Sequence, residues 1–183
     1  MSSLADLKEL ILRESVQFGE FTLASGQTSR IYIDIRKSSL HSEGAYLIGQ
    51  CFWERIQSLC PEAKGVGGLT LGADPLVSAT AISAHLDGKR FASIIVRKEA
   101  KAHGTQRQIE APGFINPPDQ VVAVDDVVTS GGSTLQAIRA LREAGFQVKY
   151  ALAVVDRNAG AKELLADHHV ELHSLFSLDD LCK

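Results

Sequence analysis

The densest chemistry in this 183-residue chain lies in Val121-Val-Ala-Val-Asp-Asp-Val-Val-Thr-Ser-Gly-Gly-Ser-Thr-Leu-Gln-Ala-Ile138. An apolar strand ends in two adjacent carboxylates, Asp125 and Asp126, and runs into a turn of hydroxyls and glycines that starts a helix. Main-chain N–H groups, small hydroxyls and the positive end of a helix dipole converge at such a point. Gly131 and Gly132 let the main chain approach a phosphate closely, and Ser130, Ser133 and Thr134 have hydroxyls to donate to it. Carboxylates repel phosphate, so the acids need another partner. Vicinal ribose hydroxyls suit them, as does a magnesium ion accompanying the phosphates. Acids beside a phosphate cradle therefore imply a sugar phosphate. A capped, solvated helix start would explain one acid, but not two acids, two glycines and four hydroxyls together. A Walker loop would need Gly-x-x-x-x-Gly-Lys-Ser/Thr, and no such lysine is present; Gly65-Val-Gly-Gly-Leu-Thr misses the last glycine of a dinucleotide fingerprint.

A second concentration of charge is Arg97-Lys-Glu-Ala-Lys-Ala-His-Gly-Thr-Gln-Arg-Gln-Ile-Glu-Ala-Pro-Gly113, which carries Arg97, Lys98, Lys101, His103 and Arg107 without an apolar face. Gly104, Pro112 and Gly113 interrupt any helix there. The segment reads as a mobile lid whose cations suit a multiply charged anion and whose closure excludes water. An ordinary loop with solvated charges is the alternative.

These segments need a scaffold. Leu4 to Val16 has helical apolar spacing, with Ser2 or Ser3 available as a cap. Phe21-Thr-Leu and Ile31-Tyr-Ile-Asp-Ile35 flank Ser25-Gly26-Gln27-Thr28 and predict a hairpin ahead of the main domain. From His41, apolar residues at 45, 48, 51, 52, 56 and 59 predict a helix ending at Pro61. Then come Gly65-Val-Gly-Gly-Leu, a helix over 74–84, a strand over 91–96, the polar segment to Asp119, a strand over 121–124, a helix over 133–144 closed by Gly145, and a strand over 149–155. Strands apolar throughout and alternating with helices predict an α/β fold, a mostly parallel sheet covered on both faces.

The totals agree with one domain over 1–183. Apolar residues make up 45% and charged residues 22%, with a net charge of −3, which argues against disorder or a fibrous repeat. No apolar run reaches the ~18 residues of a membrane helix. The isoelectric point near 6.1 lacks the basic footprint of a nucleic-acid binder. Cys51, Cys60 and Cys182 are odd in number and lack Cys-x-x-Cys spacing, so neither a disulfide framework nor a zinc site is expected. The Met1-Ser-Ser-Leu-Ala-Asp start lacks a basic then apolar pattern, and a cytoplasmic location is expected.

The 121–134 stretch resembles the phosphoribosyl-pyrophosphate (PRPP) motif of type I phosphoribosyltransferases: four apolar residues, two acids, two apolar residues, then Thr-x-Gly-x-Ser/Thr. The resemblance implies that fold, a small hood over residues 1–40 and a catalytic loop over 97–113. Asp125 and Asp126 would hold the ribose hydroxyls, and Val127, Val128, Thr129, Ser130, Gly131, Gly132 and Ser133 would cradle the 5-phosphate. Arg97-Lys-x-x-Lys-x-His-Gly104 is similar to the loop of orotate phosphoribosyltransferases, which transfer ribose 5-phosphate from PRPP to orotate in pyrimidine biosynthesis. It implies a homodimer in which Arg97, Lys101 and His103 reach the partner's diphosphate while Lys98 serves its own site. Lys101 would be the principal charge stabiliser or proton donor, with His103 assisting and magnesium held mainly through PRPP and diphosphate. Phe21-Thr-Leu-Ala-Ser-Gly26 with Tyr32-Ile33-Asp34 resembles the hood over the orotate ring, Gly67 to Pro75 the diphosphate-side loop, and Val155-Asp-Arg157 the strand end whose arginine, with Thr129, meets orotate. Ala24 and Leu71 stand where many relatives have lysine, with Arg36 or Lys37 as possible substitutes; the wording matches an actinobacterial-type branch. Transfer to another base, or a non-catalytic PRPP-sensing regulator, are the alternatives.

Overall fold

A computed structural model describes residues 3–22, 28–99 and 108–182. The opening helix, α1 (Ser3–Glu14), buries Leu7, Leu10 and Ile11. It is shorter than the apolar spacing predicts, because Val16 already begins β1 (Val16–Thr22), which pairs antiparallel with β2 (Thr28–Ile33). The hairpin therefore starts five residues before Phe21, and its turn lies outside the described residues. A short helix that spacing did not reveal, α2 (Arg36–Ser39), follows. It is pinned to the start of β1 where the Ser15 and Ser38 hydroxyls meet at 2.6 Å and the Ser38 N–H donates to Ser15 Oγ at 3.1 Å, all buried.

Helix α3 (Ser42–Leu59) turns Leu47, Ile48, Phe52 and Ile56 inward. The main sheet is then built from β3 (Gly65–Leu69), α4 (Asp74–Leu86), β4 (Ala92–Val96), β5 (Ile109–Glu110), β6 (Gln120–Val128), α5 (Gly132–Glu143) and β7 (Gln147–Asp156). The chain finishes with α6 (Ala161–Asp167), β8 (Glu171–Ser177) and a 3-10 turn at Leu178–Leu181. The sequence reading had no elements beyond Arg157, and this last unit completes a six-stranded sheet of order β5-β4-β3-β6-β7-β8. All its pairings are parallel except β4 with β5.

Alternation along β6 and β7 explains why both faces are covered. Val122, Val124, Leu152 and Val154 join the core beneath α1, α3 and α4, whereas Val121, Ala123, Ala151 and Ala153 join Ile138, Leu141 and Leu165 of α5 and α6. Successive side chains point to opposite faces of a strand, so an apolar residue at every position needs helices on both sides.

Two further departures bear on the site. The strand expected at 121–124 runs on through both acids, because β7 continues to pair with it as far as Val128↔Asp156. The polar segment after β4 is not wholly irregular either: the Ile109–Glu110 strand returns along the sheet edge, so the base of the expected lid is clamped. Residues 100–107, with Lys101, His103 and Arg107, lie outside the described residues.

Candidate active site

The sheet order reverses direction between β3 and β6, the position where ligands of open α/β sheets bind. These strands pair only from Gly65↔Val121 to Gly67↔Ala123, then part. A cleft of ≈ 330 Å³ opens there, bounded by the Asp125–Asp126 end of β6, the Thr70–Gly72 loop, the start of α5, Lys98 and, from the hood, Tyr32 to Arg36. Three larger hollows, ≈ 860 Å³ beside β5, ≈ 500 Å³ between α3 and α4 and ≈ 390 Å³ along α5, lack paired acids at a strand end.

The two acids occupy different environments. Asp125 is 6% exposed. It accepts hydrogen bonds from Thr134 Oγ1 at 2.6 Å, Ser133 Oγ at 3.0 Å and the Asp126 N–H at 3.0 Å. Burial pushes its pKa up to about 6, despite the opposing pull of the Thr134 hydroxyl and with a further push from neighbouring Asp126. Asp126 is half-buried, accepts the Val127 N–H at 2.8 Å and packs on Gly72, where a Cβ would come within 2.8 Å of the carboxylate. It keeps acceptor capacity toward the cleft.

The Ser133 and Thr134 hydroxyls, predicted to face a phosphate, thus donate to Asp125 instead. A buried carboxylate demands donors, and the first turn of α5 brings these two against it. The phosphate-type donors that remain are main-chain ones. The N–H groups of Ser130 to Ser133 have no partner among the described residues, and Gly131, at φ +83°, forms the left-handed N-cap of α5. A Cβ at Gly131 would also press on Ala161 at 3.2 Å. Thr129 and Ser130 are exposed, Val127 lines the cleft and Val128 is buried.

On the opposite wall, Thr70 Oγ1 donates to Asp74 Oδ2 at 2.8 Å, closing a tight loop whose Leu71 and Gly72 N–H groups have no partner among the described residues. That bond had no signal in the sequence beyond the loop's resemblance. Lys98 lines the cleft, its carbonyl held by Gln136 Nε2 at 3.0 Å. Arg97 is turned to Glu110, with Nε and Nη2 both 3.2 Å from Oε1. Arg157 is half-buried at the end of β7; its N–H donates to the Val128 carbonyl at 2.9 Å and its guanidinium has no partner among the described residues. In the hood, Phe21 and Tyr32 lie with ring centroids 5.6 Å apart. Arg36 grips Asp34 through Nε at 2.8 Å and Nη2 at 3.0 Å, and this fork holds the Asp34 carboxyl below its usual range.

No group of three or more His, Cys, Asp or Glu is set to hold a metal among the described residues. No described helix is long and apolar enough to cross a membrane.

Comparison with known proteins places this geometry among relatives. Residues 72–174 match the phosphoribosyl transferase domain. The orotate phosphoribosyltransferase of Thermosynechococcus vestitus is 47% identical over 184 residues, covering 98% of this chain and 95% of the relative. That of Corynebacterium glutamicum is 46% identical, covering 97% and 92%. The crystal structure of Mycobacterium tuberculosis orotate phosphoribosyltransferase in complex with PRPP superimposes with a TM-score of 0.82 at 32% identity, covering 99% of each chain.

Proposed function

The chain belongs to the orotate phosphoribosyltransferase family, and from that premise we propose how its residues carry out the transfer. The enzyme is a pentosyltransferase of pyrimidine biosynthesis: ribose 5-phosphate passes from PRPP to orotate, giving orotidine 5'-phosphate and diphosphate. Identity of 47% over 98% of the chain, hood included, carries this assignment.

The bond from ribose C1 to the diphosphate oxygen breaks as N1 of orotate bonds to C1 and gives up its proton to the leaving diphosphate or to solvent, and C1 carries oxocarbenium-like charge between. No covalent nucleophile from the protein is needed. Rate comes from positioning and from stabilising the leaving-group charge, each able to remove several kcal/mol of barrier. Asp126, with acceptor capacity left over, takes the ribose hydroxyls, while Asp125 secures the start of α5. The free N–H groups of Ser130 to Ser133 hold the 5-phosphate, with Thr129, Val127 and Val128 shaping the cradle. The Leu71 and Gly72 N–H groups and Lys98 receive diphosphate. Arg157 takes the orotate carboxylate with its planar fork, Thr129 supplies a hydroxyl beside it, and the Phe21–Tyr32 pair roofs the ring.

Magnesium would be held mainly through PRPP and diphosphate and would neutralise part of their charge; among this chain's residues Asp126, with acceptor capacity left over, would take a hydrogen bond from a water on such an ion. The protein works as a cytoplasmic homodimer. Arg97, Lys101 and His103 reach the partner's diphosphate, Lys101 stabilising or protonating it and His103 assisting. The half-exposed Arg97–Glu110 pair is a weak competitor for that contact.

Loss of orotate absorbance with PRPP and magnesium tests the reaction; turnover of another base but not orotate overturns the substrate. Mixing a Lys101→Ala chain with an Arg157→Ala chain tests the shared site. Partial recovery of activity is expected, and no recovery despite subunit exchange refutes a loop acting in trans.

A further inference from the structure

A leaving diphosphate is multiply charged, yet the cleft that receives it is rich in acids. Among the described residues lining it are Asp34, Asp125 and Asp126 against two cations, Lys98 and Arg36. The wall that offers the Leu71 and Gly72 N–H groups adds no cation, since Leu71 itself is an exposed aliphatic side chain. Arg36 stands across the cleft from that loop, on the hood. We propose that Arg36 is a diphosphate-contacting residue, held ready by Asp34, and that it supplies across the cleft the cation the Thr70–Gly72 loop lacks. The inference rests on the reading of the cleft given above.

The geometry is that of a positioned arginine rather than a loose surface pair. Nε and Nη2 are both committed to the two oxygens of Asp34, and the Arg36 main-chain N–H also donates to that carboxylate at 3.2 Å. Asp34 is mostly buried, with 17% of its side chain exposed, so it is a fixed anchor. The helix Arg36 begins is itself fastened by the buried Ser15–Ser38 contact. Arginine has five N–H donors in a rigid plane, so the fork to Asp34 leaves others free, and the side chain remains 52% exposed toward solvent and cleft. It also lies within electrostatic reach of Asp126. In that place one guanidinium offsets the acid that binds ribose and presents donors to the departing oxygens. A charge-assisted contact of this kind is worth roughly tenfold or more in affinity.

Titration calorimetry with PRPP and with diphosphate, alongside initial rates, tests this. Arg36→Ala should weaken both ligands by about tenfold or more while the KM for orotate moves little. Arg36→Lys should recover part of the loss, keeping the charge without the fork, and Leu71→Lys placed in the Arg36→Ala background should tighten diphosphate again from the opposite wall. Asp34→Asn should cost less than Arg36→Ala, because it loosens the contact without removing it. Wild-type-like binding of PRPP and diphosphate by Arg36→Ala would overturn the proposal, as would equal losses for orotate and PRPP in Arg36→Ala and Asp34→Asn, the pattern of a purely structural pair. A wild-type protein that bound neither PRPP nor diphosphate would sink the reading of the cleft itself, a distinct result from one that binds equally with or without Arg36.

Discussion

Asp125 and Asp126 are neighbours on β6, and the pleat of a strand sends successive side chains to opposite faces. One therefore meets the first turn of α5 and the other meets Gly72 at the cleft. Their substitutions should separate stability from binding. Asp126→Asn is expected to raise the KM for PRPP about tenfold or more with little change in Tm, since its carboxylate serves the ligand more than the fold. Asp125→Ala leaves two hydroxyls and the half-buried Asp126 N–H without their acceptor and should cost about 1–3 kcal/mol of stability, read by denaturant unfolding. The raised pKa of Asp125 has its own signature. The folded protein holds that proton more tightly than the unfolded chain, so the contribution favours folding at low pH and is lost as pH rises from the ordinary 3.8 through about 6. The Tm of wild type relative to Asp125→Asn should accordingly fall across that window and level off above it; a flat difference from pH 4 to 7 would contradict the assignment. The sequence showed both acids and their hydroxyl neighbours, but it could not say which acid the hydroxyls serve, because that depends on how α5 is set against β6.

At the scale of elements, local pattern was most legible where an element is long and packed. Periodicity located α3 and α5 and the buried strands within a few residues. It missed β5, two residues long and half-buried, since so short an edge strand has no period of its own and is set by its pairing with β4, and it cut β6 short, since charges in a strand read as an ending until a neighbour such as β7 is known to pair beyond them. Two glycines link these elements to the site. Gly131→Ala forces a side chain into φ +83° against Ala161 and should destabilise by about 1–2 kcal/mol while weakening PRPP binding. Gly72→Ala has no such backbone strain; its Cβ instead meets the Asp126 carboxylate, so the expected loss is in kcat/KM for PRPP with Tm nearly unchanged.

For the whole molecule, two cores on opposite faces of one sheet bury most of what the composition supplied as apolar, and two of the three thiols go with them. Cys60, in van der Waals and hydrogen-bond contact with Gln120, has its thiol pushed up to about 11 by burial, whereas Cys182 is exposed. Thiol titration of the native protein should therefore show one fast-reacting cysteine, and the other two only on unfolding; fast modification of Cys60 would contradict the packing. By itself the sequence determined what is contiguous: the acid pair with its glycine turn, the alternation that demands a two-faced sheet, and wording close enough to a family to name the reaction. Only the tertiary structure decided what is distant in the chain. The reversal of strand order between β3 and β6 brings Gly72 against Asp126, and the docking of the hood brings Arg36 within reach of the same carboxylate. Spacing cannot carry such information, because these partners are set by strand order and by the packing of helices on the sheet, which depend on every element at once.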